Sequence, residues 1–190
     1  IREGFREQKK LFFILTNSRS FTEEQTIRAH QEIIRNIEQV SQEEKVPFLL
    51  ISRGDSTLRG HFPLETQILQ EGMERIGQIR IDGEILCPFF QEGGRFTFQN
   101  IHYVKYGEEF VPAAQTEFAR DETFGYHSSN LCDYVEEKTK GEYSAESCLT
   151  IPLSLLQGEQ YDEVEKILLQ AAHFQKIIVN ALEEKDTEVF

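Results

Sequence analysis

The chain has no tryptophan, one methionine and three cysteines in 190 residues. Cys87, Cys132 and Cys148 are odd in number and lack C-x-x-C spacing. That excludes a disulfide framework or zinc ribbon and points to reduced thiols in a cytoplasmic protein. The histidines His30, His61, His102, His127 and His173 lack metal-ligand spacing, so each reads as structural before it reads as a ligand. No apolar run approaches the roughly 20 residues that cross a bilayer. Basic residues are also scarce: 20 Lys and Arg stand against 33 Asp and Glu, a formal charge of −13. A chain of that sign offers no general face for nucleic-acid phosphates or anionic membranes. Prolines number five, and no Pro/Gly/Ser linker, internal repeat or low-complexity tract divides the chain.

Signature motifs are missing too. There is no G-x-G-x-x-G after a strand, no G-x-x-x-x-G-K-[ST], no G-x-S-x-G and no H-E-x-x-H. A self-contained nicotinamide oxidoreductase, P-loop ATPase, serine hydrolase or zincin is thereby disfavoured.

What is present is an ordinary globular composition, 39 % hydrophobic and 28 % charged, long enough for one well-cored domain over residues 1–190. Neither end looks like a terminus. Ile1-Arg2-Glu3-Gly4-Phe5 lacks an initiator Met and a signal-peptide core, and Asp186-Thr187-Glu188-Val189-Phe190 is equally abrupt. Most acidic residues, such as Glu23, Glu24, Glu32, Glu38, Glu43 and Glu44, fall where amphipathic helices have solvated faces. Against that background, Arg53, Arg59, His61 and Arg95 cluster in glycine-bearing loops, as an anion site would require.

Periodicity predicts an α/β fold. Leu11–Leu15 reads as a buried strand, followed by a helix opened by the capping box Thr22-x-x-Gln25 and carrying Ile27, Ile33, Ile34, Ile37 and Val40. Residues 46–51 read as a second strand, 63–76 as a helix with Pro63 in its first turn, and 84–87 as a third strand. The alternation predicts a three-layer, mainly parallel, Rossmann-like sheet with helices on both faces. Phe96–Val104 alternates as an extended strand, with Phe110-Val111 as its hairpin mate, giving an inserted antiparallel element. A short helix near 130–138, a strand at 148–151, a helix from 162 to 172 and a strand at 176–180 complete the pattern.

Between the 46–51 and 63–76 segments lies Arg53-Gly54-Asp55-Ser56-Thr57-Leu58-Arg59-Gly60-His61, a polar turn holding cations, a carboxylate and hydroxyls. Strand, glycine-containing turn and helix start form the geometry in which α/β proteins hold small anions. Arg59 or Arg53 suits a carboxylate bidentately, and Asp55 suits a hydroxyl. Ser56 and Thr57 can add hydrogen bonds or cap the helix. His61 can donate to a ligand or pack as a helix-start histidine. Arg95, after Gly93-Gly94, can meet a ligand or hold its loop. Phe96, Phe98, Tyr103 and Phe118 read as core before stacking platform, and Glu65 as a favourable first-turn charge.

The six-residue core Asp55-Ser56-Thr57-Leu58-Arg59-Gly60, with the basic Arg53 before it, resembles the hallmark of the four-carbon acid sugar kinase family. The similarity continues in the family's order through Asn17-Ser18-Arg19, Pro88 to Arg95, Thr116-Glu117-Phe118-Ala119-Arg120-Asp121 and Val179-Asn180-Ala181, spanning about residues 10–185. The resemblance implies the N-terminal, sugar-acid-binding half of a two-domain, ATP-dependent kinase, truncated at both ends. ATP and Mg²⁺ would then be bound mainly by a separate C-terminal domain, with no cofactor in this piece and a homodimer left open. Ser18, Arg19, Arg53, Asp55, Ser56, Thr57, Arg59, Gly60, His61 and Arg95 are its implied substrate-binding residues. Asp55 is the catalytic candidate, although the family's preceding Asp-Asp-Leu-Thr-Gly motif lies before this sequence. Arg53 stands where many members have lysine, and the Gly60-His61-Phe62-Pro63 continuation marks a subgroup. The competing reading is a non-catalytic sensor of small carboxylates or sugar phosphates built on the same arginine-rich turn.

Overall fold

The computed structural model describes residues 1–190. The chain divides into two compact units, residues 1–53 with 60–80, and residues 54–59 with 81–190.

The first unit is helical: α1 (Arg2–Arg6), α2 (Glu23–Glu44) and α3 (Leu64–Gly77). Thr22 starts α2 through both halves of the expected capping box. Its hydroxyl accepts from the Gln25 amide at 3.3 Å, and the Gln25 side chain accepts from the Thr22 amide at 2.9 Å. Thr26, His30, Ile34, Ile37 and Val40 recur at helical spacing and are the buried face. Gly72 of α3 lies against Ile34, whose side chain would collide with any Cβ there, so the close approach of the two helices depends on glycine. Arg2 reaches Glu43 and Glu44, and Arg6 reaches Glu44, tying α1 to the end of α2.

Two expected strands are corrected here. Residues 11–15 and 46–51 form no ladder, and Leu15 is 94 % and Leu49 80 % exposed. Apolar composition favours a buried strand only if a neighbouring strand supplies the hydrogen bonds, and these segments have none.

The second unit runs β1 (Gly83–Leu86), β2 (Arg95–Phe98), β3 (Ile101–Tyr106), β4 (Glu109–Pro112), α4 (Leu131–Lys138), β5 (Leu149–Ile151), α5 (Leu153–Gln157), α6 (Tyr161–Leu168), β6 (Gln175–Val179) and α7 (Glu184–Val189). Strands β1, β6 and β5 form a parallel sheet in that order, while β2, β3 and β4 form a separate antiparallel meander. The fold class is α/β, with the inserted antiparallel element the alternation at 96–104 predicted. Ile151, Leu156, Val164, Ile177 and Val179 form the sheet's hydrophobic core. Lys176, buried on β6, is matched by its cross-strand partner Glu84 at 2.5 Å and lies over the Phe174 ring, 3.6 Å from its centroid. A buried ammonium needs that pairing.

Asn180, just beyond β6, joins sheet to meander. Its side chain accepts from the Asn100 amide at 2.7 Å and donates to the Asn100 side chain at 2.9 Å and to the Ile151 carbonyl at 3.0 Å. The Thr97–Ala181 bridge extends the seam, so β2 and β3 are held beside the end of β6. No helix is long and apolar enough to cross a membrane.

Candidate functional site

Residues 54–59 belong to the second unit and are anchored there by their backbone. Three successive carbonyls each accept a hydrogen bond from a buried side chain. The Ser56 carbonyl takes one from His102 Nε2 at 2.7 Å, the Thr57 carbonyl from the Tyr126 hydroxyl at 3.0 Å, and the Leu58 carbonyl from the Tyr134 hydroxyl at 3.2 Å. A carbonyl can only accept, so His102 carries its proton on Nε2, and its Nδ1 accepts from the Thr97 hydroxyl at 3.0 Å. Burial, aided by the Arg95 charge and opposed by the Ser56 hydrogen bond, pulls the His102 pKa down to about 4, so the ring is neutral at physiological pH. Burial, with the nearby Asp55 charge adding to it, pushes the Tyr126 hydroxyl up to about 12, and burial raises Tyr134 further, so both remain donors. The two tyrosine rings meet edge to face with centroids 5.6 Å apart.

So held, the loop presents a compact polar array. The Asp55 carboxylate accepts from the Thr57 amide at 3.1 Å, the Thr57 hydroxyl at 2.7 Å and Arg59 Nε at 2.7 Å. Arg59 Nε also reaches the Thr57 hydroxyl oxygen at 3.0 Å. Burial works to raise the Asp55 pKa, but the hydrogen bonds from Thr57 and the Arg59 charge outweigh it and hold the carboxyl below its usual range. Leu58 sits at φ 65°, a left-handed conformation that costs a branched residue on the order of 1–2 kcal/mol. The carbonyl anchors on either side keep it there, as expected where surrounding structure over-determines a site.

Arg95, at the start of β2, joins this array. Phe90 and Arg95 exchange backbone hydrogen bonds at 3.0 and 2.8 Å around a turn in which Gly94 has φ 71°. Only glycine adopts that angle without strain. The Gly93-Gly94 segment is a hydrogen-bonded turn. Arg95 Nη1 donates to the Gly93 carbonyl and, at 3.4 Å, to that of Gly94. Arg59 and Arg95 lie over the same Phe118 ring, at 4.8 and 5.2 Å from its centroid. Two guanidinium groups beside an ionised carboxylate and a hydroxyl are a recognition set for a small hydroxylated anion.

A family model described as the sugar-binding N-terminal domain, of the four-carbon acid sugar kinase family, matches residues 2–190. The chain belongs to that family. Comparison with curated proteins gave no match.

The structure brings together five of the residues singled out in this sugar-binding domain: Asp55, Ser56, Thr57, Arg59 and Arg95. Ser18, Arg19, Arg53, Gly60 and His61 belong to the first unit. There Ser18 and Arg19 form a single 3₁₀ turn, Ser18–Ser20, after Asn17 in the left-handed region. Arg53 is exposed, and buried His61 donates from Nε2 to the Phe21 carbonyl at 2.8 Å while its own carbonyl accepts from the Glu65 amide at the start of α3. Glu65 lies in the first turn of α3, as expected, and is buried. At the end of the Thr116–Asp121 motif, Asp121 caps its own turn by accepting from the Thr123 and Phe124 amides, both at 2.9 Å. The sugar-binding domain also uses residues that the motif reading left aside. His102, Tyr126 and Tyr134 hold the loop, while Phe118, inside the Thr116–Asp121 motif, stacks on two cations instead of filling the core. For His102, Tyr126 and Tyr134 the only sequence signal is the polar tip on each ring, which demands a partner without naming it.

Proposed function

We propose that this sugar-binding domain recognises a small sugar acid, in the class of threonate, erythronate or a related keto acid, as the substrate half of an ATP-dependent kinase. The observation that carries this reading is the Asp55–Thr57–Arg59 array on its carbonyl-anchored loop, with Arg95 beside it. A carboxylate fits the guanidinium edges, while Asp55 and Thr57 suit hydroxyls. In phosphoryl transfer, positioning and charge stabilisation do most of the work. Asp55, held ionised, orients the attacking hydroxyl, and Arg59 fixes the far end of the molecule.

Residues 1–190 act as one substrate domain in this proposal. No group of three or more His, Cys, Asp or Glu side chains is placed to hold a metal ion, so no step is assigned to a metal held by this chain. ATP and Mg²⁺ are assigned to a separate C-terminal domain, which would supply the phosphoryl group.

Calorimetric titration with threonate, erythronate, the neutral alditol threitol and ATP–Mg²⁺ tests the reading. The expected result is binding of one acid, no detectable binding of the alditol, and at least tenfold weaker acid binding by Arg59→Ala, as for loss of a charge-assisted hydrogen-bonded pair. Equal affinity for acid and alditol, or ATP binding without acid binding, would overturn it.

A further inference from the structure

Phe118 lies in the 3₁₀ turn Glu117–Arg120 and is half-buried. Because the Arg59 and Arg95 guanidinium carbons lie 4.8 and 5.2 Å from one ring centroid, they can be no farther apart than those two distances together. Like charges this close repel unless something offsets them. The compensation is uneven. Arg59 is matched by Asp55 at 2.7 Å. Arg95 pairs with backbone carbonyls, and its Nε is buried without a hydrogen-bond partner. The carboxylate of Glu117 acts on Arg95 only at longer range and accepts from the Tyr106 hydroxyl at 2.7 Å. Two guanidinium groups over one ring, with only Arg59 matched by a carboxylate, form a charge array that an added carboxylate suits.

We propose that Phe118 is a positioning residue for the anion subsite. Its ring holds the Arg59 and Arg95 guanidinium groups within reach of a single carboxylate, and so selects sugar acids over neutral sugars. The inference rests on the sugar-acid reading above. The ring contributes attraction to both cations at little cost in side-chain entropy. An aliphatic residue of similar bulk would fill the space but would exert no such hold.

The test titrates the full chain with threonate and erythronate as wild type, Phe118→Leu and Phe118→Tyr. The expected outcome is about tenfold weaker acid binding for Phe118→Leu, the scale of one or two partly desolvated cation–π contacts, and near-wild-type binding for Phe118→Tyr. A second readout needs no ligand. In the wild-type protein the Nε–H proton resonances of Arg59 and Arg95 should be displaced by the Phe118 ring current, and Phe118→Leu should return them to ordinary positions. Wild-type affinity in Phe118→Leu, or undisplaced arginine resonances in the wild type, would overturn the role of Phe118 while leaving the sugar-acid reading standing. Failure of the wild type to bind any acid would sink that reading and the subsite together.

Discussion

Residues 46–51 and 54–59 are neighbours in the chain and opposite in outcome. The first segment is almost wholly apolar, yet Leu49 and Ile51 are 80 % and 69 % exposed and no ladder forms. The second is polar, with three residues that favour turns, yet three consecutive carbonyls are bonded to buried side chains and Thr57 is 2 % exposed. Hydrophobicity predicted the reverse. Order here follows the availability of partners: a backbone becomes fixed where its polar groups are satisfied, and apolar side chains become buried only where something packs on them.

The largest test of that contrast is acid. Burial holds the folded-state pKa of His102 near 4, against an ordinary 6.5. The unfolded chain therefore binds a proton at this residue between those values while the folded chain does not. The stability contribution of His102 is whole above about pH 6.5 and is lost as pH falls toward 4, on the order of 3 kcal/mol at full extent. Urea unfolding at pH 7.5 and 4.5 should show a drop in wild type that is smaller, by about that amount, in His102→Gln. Parallel profiles for the two proteins would mean the ring is not a buried neutral donor.

A smaller effect is expected from Tyr134→Phe. It leaves the Leu58 carbonyl without its donor and should cost about 1–3 kcal/mol in urea unfolding, with weakened sugar-acid binding from a loosened loop. A neutral result would show that the anchoring of 54–59 does not depend on that bond. Thr22→Ala, which removes the cap of α2 in the other unit, should cost about 1 kcal/mol and leave acid affinity unchanged. Leu49→Ser should change unfolding free energy by less than about 0.5 kcal/mol, the usual result at an exposed position. A loss of 2 kcal/mol or more would mean that 46–51 is buried in solution after all, and the comparison would collapse.

Much of the architecture was legible from local rules. The capping box placed the start of α2, and helical spacing placed α2 and α3. Alternation located the extended stretch 96–104, which the chain breaks at a Gln99-Asn100 turn into β2 and β3, and short β-branched runs located β5 and β6. Helix α6 ends at Leu168, short of the expected 172, and the brief helices α1, α5 and α7 carry too few residues for a periodic signal. In the site, the Asp55-to-Arg59 cluster was legible because its partners are two and four residues apart. His102, Tyr126 and Tyr134 were not, because they meet the loop across 46, 69 and 76 residues.

The sequence alone determined the α/β class, the start of α2 and the nearness of Asp55, Thr57 and Arg59, since each rests on interactions within a few residues or on periodicity. Tertiary structure decided which apolar runs were buried, which carbonyls of the loop were anchored, and that Arg59 and Arg95 share one aromatic ring. Those outcomes depend on pairings between distant parts of the chain, whose loop-closure entropy is offset only once the whole set of partners has assembled.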